Sequence, residues 1–107
     1  MPSDFSFLYV PIDNQENAQK VAHGLIEQKL AICVNIIPAV TSIYEWEGKI
    51  ESGSELIMMV KTHKNKIQSA RETIASLHPY KVPCIAEVPI NALNSSYQQW
   101  AEAALKA

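Results

Sequence analysis

Glycine is scarce in this chain: three in 107 residues, at positions 24, 48 and 53. Each stands alone, so no glycine-rich loop exists to cradle a phosphate. The serines, among them Ser42, Ser52, Ser54, Ser95 and Ser96, never fall in the GxSxG setting of a nucleophile elbow. Cysteine is limited to Cys33 and Cys84, which form no CxxC and imply neither a metal finger nor a disulfide scaffold. No apolar run approaches the roughly 20 residues that span a bilayer. The start, Met1-Pro2-Ser3-Asp4, has neither the basic run nor the apolar core of a secretory signal. Basic charge is also lacking. Nine Lys and Arg against eleven Asp and Glu give a net charge of −2, without the clustered basic face that nucleic acid requires. The densest basic stretch, Lys61, His63, Lys64 and Lys66, has no interleaved aromatics and reads as a solvated helix start. These absences predict a soluble cytoplasmic protein with free thiols, no nucleic-acid or membrane partner, no organic cofactor and no catalytic constellation.

What remains is ordinary globular composition, 48% apolar and 19% charged, enough for one domain over 1–107. Phe5 to Ile12 is an apolar, β-prone first strand. Asp13 and Glu16 form a capping-box-like start to a helix whose buried stripe is Ala18, Val21, Ala22, Leu25 and Ile26. Leu30 to Ile37 is nearly continuous and β-branched, the pattern of a strand covered on both faces. Cys33 within it is expected to act as a small buried hydrophobe. Pro38 predicts a bend or bulge, after which the strand resumes through Val40, Ile43 and Tyr44 to Trp46. A tight turn at Glu47-Gly48 leads into a return strand ending in Leu56 to Val60, with Gly53 as an expected bulge. Ile67, Ala70, Ile74 and Leu77 mark a second helix that Pro79 stops. Val82 to Ile90, bracketed by Pro83 and Pro89, suits an edge strand. Ser95 with Gln98 predicts a capped last helix with the stripe Tyr97, Trp100, Ala101, Ala104 and Leu105. The order β-α-β-β-α-β plus a terminal helix predicts an α+β, ferredoxin-like sandwich with an extended hairpin.

That hairpin is the most informative stretch. Tyr44 and Trp46 fall on one face and Glu45 and Glu47 on the other. Strands this long leave unpaired edges, which are templates for another chain, so an oligomer is expected, with Trp46 at the tip covered by a neighbour. Glu45, Glu47, Glu51 and Glu55 read as solvation and edge protection. His78, at a helix end before Pro79-Tyr80, is either a metal-ligating imidazole or a cap on the last helix carbonyls. His23 and His63 have no partner motif.

Three blocks in order, Ala31-Ile32-Cys33-Val34-Asn35, then Tyr44-Glu45-Trp46-Glu47-Gly48-Lys49-Ile50 with Glu55, Lys61 and Thr62, then His78-Pro79-Tyr80, resemble the CutA divalent-cation tolerance family from Leu8 to Trp100. The resemblance implies a ferredoxin-like fold, a tight homotrimer whose hairpins pair with neighbouring subunits, and a non-catalytic role in tolerance of and response to divalent metal ions, copper foremost. It places His78 at a histidine implicated in copper binding. Val10 and Leu77 stand where some family members supply a cysteine and a second histidine, and Lys81 and Cys84 stand where acidic residues are common. Cys84 offers a replacement thiolate suited to Cu(I) or Zn(II). The resemblance also gathers Asn35, Tyr44, Trp46, Glu47, Lys61 and Tyr80 in clefts near subunit boundaries. There they would bind a small polar ligand, or else serve as interface anchors with a Lys61–Glu47 ion pair. A regulator or scaffold of PII-like architecture, binding a small metabolite in those clefts, is the alternative, by fold analogy alone.

Overall fold

In the computed structural model, which describes residues 3–106, strand β1 (Phe5–Ile12) leads into helix α1 (Gln15–Glu27). The long strands β2 (Cys33–Trp46) and β3 (Lys49–His63) follow, then a 3-10 turn (Lys64–Lys66), helix α2 (Ile67–Leu77), a short β4 (Ala86–Pro89) and helix α3 (Ser95–Lys106). The sheet runs β2-β3-β1-β4, with every neighbouring pair antiparallel. This is the strand order of the split βαβ pattern. The single-domain expectation also took in Met1, Pro2 and Ala107, which lie outside the described residues.

Side chains alternate across a strand, and β1 shows the consequence. Leu8, Val10 and Ile12 are fully buried beneath the helices, packed with Ala18, Val21 and Leu25 of α1 and with Ile67, Ala70 and Ile74 of α2. Met58 and Val60 of β3 complete this core, and Val34 and Ile36 of β2 lean against it. The opposite parity (Phe7, Tyr9, Ile37, Asn35) faces away from both helices, and Tyr9, Asn35 and Ile37 are exposed. Helix α3 covers one end of this second face by seating Ala101 and Leu105 on Phe5. Within one chain, therefore, the Leu30–Ile37 run is not covered on both sides. Only Cys33 onward is strand, and the Cys33 side chain is half-buried rather than buried.

Local capping departs from expectation in two places. Asn14, not Asp13, caps α1, its Oδ1 accepting the Asn17 N–H at 2.8 Å, while Asp13 accepts from the Asn17 side-chain amide. At α3, Ser95 is already helical and the Gln98 N–H donates to the Asn94 carbonyl at 3.0 Å. A cap residue has non-helical backbone, so each cap falls on the last residue before the turn closes. His63 also has a local role, because its Nδ1 accepts the Asn65 N–H at 3.1 Å and caps the 3-10 turn.

The arm is the outstanding feature. Its strands have 14 and 15 residues, against a usual length of about 5–6, and the molecule extends 46 Å along its longest axis. Glu47 and Gly48 close the arm with φ of 49° and 80°, the all-positive pair of a type I′ hairpin turn. The bulge expected at Pro38 is present. Ile37 pairs with Ile57, but the next pair is Val40 with Glu55, and Ala39 between them has φ of 61°. Gly53 is no bulge; it pairs regularly with Ser42. The fourth strand is confined to Ala86–Pro89; residues 82–85 leave the sheet edge, Val82 and Cys84 lining a cleft while Ile85 packs on the core.

Candidate functional site

The bulge decides which arm residues meet that cleft. Up to Ile37 the odd-numbered residues of β2 lie on the second face, opposite Lys61, Met59 and Ile57. One extra residue reverses the parity. Beyond it, even-numbered Tyr44 and Trp46 pair with Glu51 and Lys49 and share their face with Glu55. Glu45 pairs with Ile50 on the other side. The sequence-based division of the arm into an aromatic and an acidic face is thus correct for Tyr44, Trp46 and Glu45, while Glu47 sits in the turn itself.

Along the arm, from its root at Glu55 to Trp46 beside the turn, a cavity of about 590 Å³ is lined by Pro11 at the end of β1, by Tyr44, Trp46 and Glu55 of the arm, and by Tyr80, Lys81, Val82 and Cys84 of the α2–β4 loop. A bonded chain fixes its wall. Nε2 of His78 bonds the Pro11 carbonyl at 2.8 Å, and Nδ1 of His78 accepts the Tyr80 N–H at 3.1 Å. Tyr80 Oη in turn donates to Glu55 Oε2 at 2.7 Å. This pattern assigns the proton of the neutral imidazole to Nε2. The His78 and Tyr80 rings meet edge to face, 4.6 Å apart. Burial, the hydrogen bond to Glu55, and the charges of Glu55 and Asp13 push the Tyr80 phenol well above the usual tyrosine range. It therefore remains a donor.

The predicted site residues divide accordingly. Tyr44, Trp46, Tyr80 and Cys84 come together in the cleft. His78 is buried, 8% exposed, behind its wall and spends both ring nitrogens on the backbone. Its side chain bonds across to β1 rather than to the last carbonyls of α2, so the cap reading needs correcting in that detail. Asn35, opposite Met59, and Lys61 lie further along the second face. Lys61 is six residues from Glu55, roughly 20 Å of strand. No Lys61–Glu47 pair forms: the Lys61 ammonium donates to Tyr97 Oη at 3.0 Å and stands over the Tyr97 and Phe7 rings at 4.6 and 5.6 Å. Trp46 turns its face to its own chain's cleft while remaining 57% exposed. Far more open are Ile43 and Ile50 on the opposite face, at 72% and 80%. Glu55, Lys81, Val82 and Pro11 were not among the predicted site residues. Glu55 belongs to the family-like stretch, but its place in the cleft follows from the parity reversal, which depends on knowing the length of the bulge.

Among the described residues, no three His, Cys, Asp or Glu side chains converge to hold a metal ion. Cys84 is the exposed thiol in the cleft, and Glu55 Oε1 is a second donor there. His78 would have to surrender a backbone bond to become a third.

The fold and cleft define a class: a ferredoxin-like domain with an overlong hairpin and an aromatic pocket along it. The sequence pattern of the CutA1 divalent ion tolerance protein family matches residues 6–104, and the chain belongs to that family. It is 44% identical over 95 residues to the Protein CutA homolog of Xenopus laevis, an alignment covering 89% of this chain and 63% of that one. The chain thus spans less than two thirds of the length of that relative. The divalent-cation tolerance protein CutA of Archaeoglobus fulgidus is 39% identical over 95 residues, covering 89% and 92% of the two chains. Its solved structure, described as a periplasmic protein, superposes with a TM-score of 0.90 at 37% identity over 94% and 98% of the chains. The crystal structure of CutA1 from Ehrlichia chaffeensis superposes with a TM-score of 0.91 at 31% identity over 98% and 97%. Among the described residues, no helix is long and apolar enough to cross a membrane.

Proposed function

We propose that this protein acts as a cytoplasmic homotrimer in divalent metal-ion tolerance and response to metal ions, copper foremost, without catalysing a reaction. The observation that carries the assembly is the arm. Ile43 and Ile50 stand together on its outer face, 72% and 80% exposed, and the second face of the sheet leaves Tyr9, Ile37 and Val88 open as well. Apolar surface on this scale calls for a large interface, and the family resemblance makes the partners two further copies. For the ion, Cys84 is the accessible soft ligand and matches Cu(I). His78 joins it only by releasing the Tyr80 N–H, and donors from a neighbouring copy complete the shell. Sedimentation of the purified protein and titration of the metal-free form with Cu(I) and Zn(II) test this reading. A folded monomer at micromolar concentration would end the assembly claim, and failure to bind either ion would end the metal claim.

A second reading has its own support. The cleft has the volume and the mostly apolar lining of a small-molecule site, which favours a regulator or scaffold that binds a metabolite along the arm. A ligand-induced rise in melting temperature without any response to metal would favour it over the first.

A further inference from the structure

We infer that the cleft takes a small zwitterion with an apolar body, of the chemical class of an amino acid bearing an aromatic or large aliphatic side chain. The inference rests on the second reading above and specifies its ligand. Tyr44, Trp46, Pro11 and Val82 supply apolar wall, and the two aromatics remain about half exposed, with face to offer a flat group. Against that wall stand one acid, Glu55, and one basic side chain, Lys81. They line the same cavity, yet among the described residues neither forms an ion pair with the other or with any third side chain.

The hydrogen bonds sharpen this. Tyr80 engages Oε2 of Glu55 and leaves Oε1 without a bond among the described residues. The raised phenol keeps donating, so Glu55 is held in place as a carboxylate acceptor rather than left to swing into solvent. A ligand ammonium fits at Oε1 and a ligand carboxylate fits Lys81. Each pairing would be charge-assisted within a partly apolar cleft, where such contacts are stronger than in water. A simple organic cation would meet Lys81, and a simple anion would meet Glu55. A zwitterion satisfies both. A metal ion would find Glu55 and Cys84 but also the Lys81 ammonium.

The test uses the full chain with Trp100→Phe, so that emission reports Trp46 alone. The probes are L-phenylalanine and its two half-ligands, phenethylamine, which lacks the carboxylate, and 3-phenylpropionate, which lacks the ammonium. L-Phenylalanine is expected to shift Trp46 emission and raise the melting temperature, with each half-ligand binding about tenfold or more weakly, one charge contact in each case. Glu55→Gln should weaken L-phenylalanine about tenfold and leave 3-phenylpropionate unharmed. Lys81→Gln should do the same while leaving phenethylamine unharmed. A half-ligand that binds as well as L-phenylalanine overturns the zwitterion while the cleft stands as a ligand site. No response to any of the three at concentrations on the order of 10 mM, weaker than any useful affinity, overturns the zwitterion and leaves the metabolite reading standing for another chemical class. A second copy or a metal ion found to fill the cleft overturns both.

Discussion

The Tyr80 hydroxyl donates to a Glu55 carboxylate oxygen at 2.7 Å, tying the loop after α2 to the root of the arm. The two residues are far apart in sequence and belong to different elements. Through His78 the tie continues to the Pro11 carbonyl at the end of β1. Three segments that end at the same edge of the fold are thereby fixed in relative position, and the cleft lies between them. The His-Pro-Tyr triplet has a physical role here that does not involve a metal. The histidine bonds in both directions, the proline ends the helix, and the tyrosine reaches the arm.

The Tyr80 phenol should ionise well above the usual tyrosine range. Its folded pKa lies above the unfolded value, first through burial and then through the bond to Glu55. A proton held more tightly in the folded state stabilises the fold fully below the unfolded pKa of about 10. That stability is lost as pH climbs through the folded value. The wild-type protein should therefore lose stability above about pH 10, and Tyr80→Phe should flatten that dependence. Denaturant midpoints taken across alkaline pH measure it, with ultraviolet phenolate absorbance as the companion signal. Equal slopes for the two proteins would mean that the phenol is not held.

His78→Ala should destabilise the protein by about 1–3 kcal/mol, the range for leaving buried polar groups without partners. The Pro11 carbonyl and the Tyr80 N–H lose their bonds together. Chemical denaturation checks the size of the effect, and proteolysis of the loop around Tyr80 checks its location. A loss confined to metal affinity, with unchanged midpoint, would make the imidazole a ligand after all.

Most of the fold was legible because burial imposes periodicity. The stripe of α2, the apolar alternation of β1 and the turn at Glu47-Gly48 all follow from local rules that the chain obeys; in α1 the buried stripe narrows to Ala18, Val21 and Leu25, and Ile26, expected within it, is exposed. The Pro38 bulge was legible too, since proline cannot donate to the ladder. Its length was not, and one residue more or less decides whether Tyr44 or Glu45 faces the cleft. The same limit explains the site. His78, Tyr80 and Cys84 stand close in sequence, but Glu55 and Pro11 join them only through strand register. Lys61 and Asn35 belong to the family's motifs yet lie too far along β3 and β2 to reach the cleft in one chain. The gap at Gly53 is simpler: glycine in a strand marks a bulge only where the backbone needs it, and here the pairing with Ser42 is regular.

Ile50→Asp should dissolve the assembly while leaving the isolated chain folded. Ile50 is the most open large apolar side chain of the arm, 80% exposed opposite Glu45. A carboxylate there costs the single chain only about 1 kcal/mol, from the poor strand propensity of Asp and from facing Glu45 across the ladder. In an interface it would be an unpaired buried charge. Light scattering should show smaller particles, and far-ultraviolet circular dichroism should be unchanged. A variant that keeps the wild-type mass would remove this face from the interface.

Deleting Ala39 tests whether the bulge serves the cleft. Ala39 holds φ of 61°, a conformation that costs a non-glycine residue about 1–2 kcal/mol, so Ala39→Gly at unchanged length should be neutral or stabilising. Removing the residue also relieves that strain, but it returns β2 to strict alternation. Tyr44 and Trp46 would then swing to the face now held by Glu45, and Ile43 would be delivered to the cleft in their place. The deletion should keep or raise the melting temperature of the core, while Trp46 emission moves to the red and its quenching by iodide increases. Ala39→Gly should leave both signals at the wild-type values. If the deletion leaves Trp46 emission unaltered, the arm has re-formed its bulge elsewhere, and the placement of the aromatic pair is then set by the cleft itself rather than by Pro38 and Ala39.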